Sequence, residues 1–143
     1  LDWLFAKPLA ACTAAPDFEL ADESGNQIRL SSLRGRAVIL VWYPGDDTRI
    51  CTQQLCALRD HWTEAQAQGI AVFGINPQGA ESHARFRAKH ALPFPLLIDR
   101  GQQVGALAQP RQRDGVGVVA GADQRVLPGR QYQAPPQAPC TSR

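Results

Sequence analysis

The chain has 143 residues, 44% of them hydrophobic, and carries 15 basic against 13 acidic side chains for a formal net charge of +2. That is enough apolar material for one compact core, with no room for a second domain. The small charge and the lack of a basic run exclude a nucleic-acid binder, and no stretch nears the roughly 18 apolar residues of a membrane span.

At the N-terminus, Leu9-Ala10-Ala11-Cys12 has the form of a lipoprotein cleavage site, but the apolar run before it is short and is broken by Lys7 and Pro8. A chain that starts at Leu1 and has no methionine reads as processed, trimmed or incomplete. Phe18–Leu20 and Ile28–Leu30 flank the turn-rich Asp22-Glu23-Ser24-Gly25-Asn26 and predict a hairpin. The continuous apolar run Ala37–Trp42 predicts a strand buried on both faces. Cys51, Leu55, Leu58, Trp62 and Ala65 then recur at helical spacing until Gly69 supplies a stop. Ile70–Ile75 predicts a second buried strand, Gly79–Ala91 a polar-faced helix, and Phe94–Ile98 a third strand closed by Asp99-Arg100-Gly101. A short helix over Gln102–Ala108 and a last strand over Val116–Ala120 complete the pattern. Strands alternating with helices through short loops imply right-handed crossovers and an α/β architecture, a central mixed β-sheet with helices on both faces. From Val126 onward, prolines at 128, 135, 136 and 139 alternate with Gln131, Gln133 and Gln137, a composition that predicts a flexible tail. The expected division is an N-terminal extension, 1–14, a domain, 15–125, and an atypical tail, 126–143.

The chemistry concentrates between Trp42 and Cys56. Cys51 falls at the start of the first predicted helix, where unpaired backbone N–H groups and the positive end of the helix dipole favour a thiolate, the nucleophilic form. Cys56 follows five residues later. On an intact helix such positions lie about 140° apart, with Cα atoms about 8–9 Å apart. A disulfide needs Cα atoms within about 7 Å, so the two could bond only if the first turn or two unwound. Two thiols so placed read as a redox-reactive pair rather than a structural crosslink. Thr48, three residues before Cys51, can cap the helix and can also hydrogen-bond the thiolate or an incoming oxygen. Pro44 is a turn residue that would fix the loop and shield the sulfur.

Pro44-x-x-x-Thr48-x-x-Cys51 resembles the signature of the peroxiredoxins, the alkyl hydroperoxide reductase and thiol-specific antioxidant superfamily, and the added Cys56 resembles its bacterioferritin-comigratory-protein, or Q-type, branch. Ala15-Pro16-Asp17-Phe18, Leu30-Ser31-Ser32-Leu33-Arg34-Gly35 and Leu92-Pro93-Phe94-Pro95-Leu96-Leu97-Ile98-Asp99 match in the same order, so the resemblance runs from about Ala15 to Leu107. It implies a thioredoxin-like fold and a thiol-dependent peroxidase that uses no cofactor. Cys51 would be peroxidatic and Cys56 resolving, with Pro44 and Thr48 completing the site. The partners implied are hydrogen peroxide or an organic hydroperoxide and a thioredoxin-type reductant, with no nucleic acid and no membrane, in a monomer or weak homodimer. Reactive rather than scaffold cysteines suit the cytoplasm, a periplasmic lipoprotein being the minor alternative. A peroxide sensor or low-turnover thiol protein with an impaired site is the alternative function.

Two departures favour that alternative, the missing family arginine and the proline-rich tail from Val126 in place of a final packing helix. Alignment of Val116–Asp123 with the strand that carries the family's arginine puts Gly115 at its position, while Arg111 and Arg113 lie just upstream and out of register. Arg49 stands where proline is common in the branch, and Asp46 and Asp47, whose charge would oppose a thiolate, are expected to point outward. His61, His83 and His90 lack metal-ligand spacing with the cysteines. Two of them read as surface helix residues, and His61 as a packing or solvated one. Cys12 and Cys140 read as incidental thiols. Trp42, Trp62, Phe73 and Phe94 read as core, and no Gly-rich phosphate loop suggests a nucleotide.

Overall fold

The structure, a computed structural model, describes residues 14–108 and the backbone of 118–120. The expected tail, 126–143, and the N-terminal extension up to residue 13 lie outside the described residues, as do Gly115, Arg111 and Arg113.

The chain opens with a hairpin, β1 (Glu19–Ala21) and β2 (Gln27–Arg29), paired antiparallel with Leu20 opposite Ile28. Its turn is organised by Asp22, whose carboxylate accepts the backbone N–H groups of Ser24 and Asn26 at 2.8 and 2.9 Å. A 3-10 turn (Leu30–Leu33) leads to β3 (Val38–Trp42), followed by α1 (Arg49–Asp60) and α2 (Trp62–Ala67). Then come β4 (Ala71–Asn76), α3 (Ala80–Lys89), β5 (Leu96–Ile98), a 3-10 turn (Arg100–Gln102), α4 (Gln103–Ala108) and β6 (Val118–Ala120). The second sheet has the order β5-β4-β3-β6, with β3, β4 and β5 parallel and β6 antiparallel to β3. This is the mixed sheet expected.

The one expected helix through Ala65 is two. At His61 the backbone leaves the helical region and its N–H makes a tighter bond to the Leu58 carbonyl at 3.2 Å, a 3-10 feature that separates the two helices. Gly69, at φ +69°, then ends α2, a left-handed position that glycine adopts without penalty. Apolar runs of the kind seen in β3 and β4 fit a strand covered on both sides, and alternate residues do face two separate clusters. Ile39, Val41 and Val72 pack with Cys51, Leu55, Ala65, Phe86 and Phe94, beneath α1, α2 and α3. Val38, Leu40, Ala71, Phe73 and Ile75 pack with Phe18, Leu30 and Val104, beneath the hairpin, the first 3-10 turn and α4. The two crossovers from β3 to β4 to β5 proceed in one direction across the sheet, so their helices fall on the same face. The loop before α1 therefore leaves the C-terminal end of the central strand, where α/β proteins place their sites. No helix among the described residues is long and apolar enough to cross a membrane.

Candidate active site

Cys51 is the third residue of α1, with Thr48 at the N-cap. A residue there cannot have its own N–H satisfied within the helix, so the thiol sits among unpaired donors. Its side chain is buried, 2% exposed, and packs with Tyr43 and Leu55. Cys56 is half-buried in the same intact helix, and both thiols are free. The five-residue spacing on one helix keeps them apart, so a bond between them requires α1 to unwind at its start.

Thr48 has the extended backbone of an N-cap, but its hydroxyl makes no cap bond and donates instead to the Gly45 carbonyl, at 3.4 Å. Pro44 is exposed at the head of the same loop. The first turn of α1 holds no acidic residue to complement the dipole, and Arg49 and Ile50 both face solvent, Ile50 being 69% exposed.

The loop behind the thiol departs from expectation. Asp46 does not point outward: its side chain is only 3% exposed and reaches into the protein. Its Oδ1 accepts the Tyr43 hydroxyl at 2.7 Å and the Asn76 amide at 2.9 Å, while its Oδ2 accepts the Ser82 hydroxyl at 2.7 Å and faces His83 Nδ1 at 2.7 Å. Its backbone N–H donates to the Gln78 side chain. Burial opposes ionisation of Asp46, but hydrogen bonds from His83, Tyr43 and Ser82 outweigh it and hold the carboxyl below its ordinary range. His83 is likewise no surface residue. It is fully buried, with Nε2 3.1 Å from the Leu97 carbonyl of β5. Polar groups can be buried in this way only because each finds a partner. Asp47 does point outward, pairing with Lys89 at 2.8 Å while its backbone sits at φ +61°.

Tyr43 ties loop and thiol together. Desolvation pushes its phenol pKa far up, aided by its bond to Asp46 and by the charges of Asp46 and Cys51. Its ring has room because β4 carries Gly74 opposite: a Cβ built there would lie 2.7 Å from Leu96 Cδ2 and 3.1 Å from Tyr43 Cε1. Sequence reasoning missed Asp46, His83, Asn76 and Ser82. The one signal was that His83 lies three residues before Phe86, which places both on the buried face of α3. No group of three or more potential metal ligands occurs among the described residues.

The AhpC/TSA family matches residues 12–120. Over 92 residues, 64% of this chain, the sequence is 44% identical to the chloroplastic peroxiredoxin Q of Oryza sativa subsp. japonica. Over 119 residues, 82% of the chain, it is 41% identical to the chloroplastic peroxiredoxin Q of Arabidopsis thaliana. The chain spans 42% and 50% of those two proteins' own lengths. Among solved structures it is similar to the peroxidoxin BcpB of Mycobacterium tuberculosis, with a TM-score of 0.73 at 27% identity over 82% of each chain. A peroxiredoxin Q of Xanthomonas campestris, 22% identical with a TM-score of 0.73 over 84% of this chain and 83% of that one, shares the fold. The fold is thus the thioredoxin-like one of the peroxiredoxins, and the chain belongs to the AhpC/TSA family, beside the Q-type peroxiredoxins.

Proposed function

We propose that this chain is a thiol-dependent peroxidase in which Cys51 is the peroxidatic residue and Cys56 the resolving one. The observation that carries the reading is Cys51 itself, a buried thiol at the third position of α1 with Thr48 at the cap and Pro44 at the head of the loop. The Cys51 thiolate attacks one oxygen of a peroxide; the O–O bond breaks, Cys51 becomes a sulfenic acid, and the departing oxygen takes a proton to leave as water or an alcohol. The Cys56 thiol then displaces hydroxide from that sulfenic acid, giving a Cys51–Cys56 disulfide and water. Two thiols of a thioredoxin-type donor return the pair to the reduced state by exchange. In this reading Thr48 turns its hydroxyl toward the reacting oxygen and Pro44 keeps bulk water off the sulfur. Family membership supports the first step most directly, and the free pair on one helix supports the second.

Stopped-flow oxidation of the reduced protein by one equivalent of hydrogen peroxide tests this, followed by mass-spectrometric mapping of the disulfides. The expected result is oxidation far faster than that of a free thiol, ending in a Cys51–Cys56 bond, and loss of the fast phase in Cys51→Ser. Oxidation at a free thiol's rate would overturn peroxidase turnover, leaving the slow sensor. Pairing through Cys12 or Cys140 would overturn the role of Cys56.

A further inference from the structure

The network behind the loop fixes a protonation state. The Leu97 carbonyl only accepts hydrogen bonds, so His83 Nε2, 3.1 Å away, carries a hydrogen. Asp46 receives donors from Tyr43, Asn76 and Ser82, which saturate three of its four acceptor positions and suit a carboxylate. The fourth contact, His83 Nδ1 at 2.7 Å, must then also be a donor. A ring that donates from both nitrogens is an imidazolium, and the pair is a buried salt bridge between α3 and the loop before α1. Among the other charged groups around α3, Asp47 pairs with Lys89 and His90, Glu23 with Arg87, and Glu81 with Arg85, while the Arg100 guanidinium lies beside Gly79 at the start of the helix. Among the described residues, His83 is the cation within salt-bridge distance of Asp46.

This arrangement answers a difficulty of charge. Asp46 pins the loop, but a carboxylate bonded to Tyr43, whose ring packs with Cys51, would by itself oppose a thiolate. We propose that His83 is a positioning residue for the reactive thiol: its imidazolium cancels the charge of Asp46, so that the loop is locked by a buried anion without burdening Cys51 with a net negative neighbour. The inference rests on the reading of Cys51 as the reactive thiol.

The experiment uses the full chain with Cys12, Cys56 and Cys140 replaced by Ser, leaving Cys51 as the single thiol. Iodoacetamide alkylation is followed against pH in this protein and with His83→Gln, Asp46→Asn, or both added. His83→Gln leaves the carboxylate uncompensated and should shift the profile to higher pH, slowing alkylation at pH 7 roughly tenfold while leaving the plateau at high pH unchanged. The double variant, with neither charge, should recover to within about threefold. A profile unmoved by His83→Gln, or a double variant no faster than it, overturns the proposal, as does a plateau that falls with the profile unshifted, which is what a merely structural role would give. Should His83→Gln fail to fold, the intact protein decides. Two ring N–H signals from His83 at neutral pH by nitrogen-15 NMR support the pair, and one overturns it. Failure of the underlying reading looks different: the single-thiol protein would react with hydrogen peroxide no faster than a free thiol, whatever the alkylation profiles show.

Discussion

Two adjoining segments meet at Cys51 and are held in opposite ways. The loop from Tyr43 to Asp47 is fastened by buried and surface bonds to β4 and to both ends of α3. The first turn of α1, immediately after it, has no side-chain cap bond, no acidic residue, and exposed Arg49 and Ile50. Its buried anchors are Cys51 and Leu55. A missing cap bond alone forgoes about 1 kcal/mol of helix stability. The contrast suits the proposed two-step reading: peroxide attack would need Pro44 and Thr48 held still, whereas a disulfide within α1 would need the helix to open at its start. The rigid part and the yielding part are separated at the N-cap.

The comparison breaks most visibly at its firm side. Asp46→Ala strips a buried imidazolium of its partner and should cost about 3–5 kcal/mol, read as a lower denaturation midpoint. A cost under about 1 kcal/mol would mean that the loop is not held by this pair. Acid should sharpen the same point. The folded protein holds the Asp46 carboxyl below its ordinary 3.8, so this group stabilises the fold above about pH 4 and stops doing so as the pH falls through the lowered value. Asp46→Asn should therefore show a shallower loss of stability below about pH 4 than the parent protein, measured by urea unfolding at each pH. At the yielding side, Arg49→Glu places an acid at the positive end of α1 and should stabilise that turn by about 0.3–1 kcal/mol. The disulfide-forming phase in stopped flow should slow about two- to fivefold, and an unchanged second phase would show that unwinding does not limit it. Least of all, Ile50→Ala should move stability by no more than about 0.5 kcal/mol, since the side chain touches little. A larger drop in thermal midpoint would reveal a covering that makes this turn firmer than it looks.

Much of the scaffold was legible because its signals are local. The runs in β3 and β4 and the turn chemistry of Asp22 and Gly69 act within a few residues, and the elements formed close to the expected bounds. The thiol pair was legible for the same reason, since a helix start fixes what surrounds Cys51. Asp46 and His83 were not, because each is a polar residue that sequence assigns to solvent, and burial becomes affordable only when a partner 37 residues away arrives with the right hydrogen. The break at His61 was also hidden: the helical spacing of apolar residues continues across it, and only the backbone bonding reveals it.

Gly74 shows how unevenly neighbouring positions can tolerate drift. The volume that a single methyl group would fill is the berth of the Tyr43 ring, while the adjacent Phe73 looks into the other cluster. An exchange at Phe73 can be absorbed by repacking apolar neighbours, but even alanine at Gly74 must displace the end of the Leu96 side chain and press on the Tyr43 ring. The alphabet permitted at this strand residue is thus set by β5 and by a loop more than two dozen positions earlier, and an innocuous-looking replacement there would reach the bond between Tyr43 and Asp46.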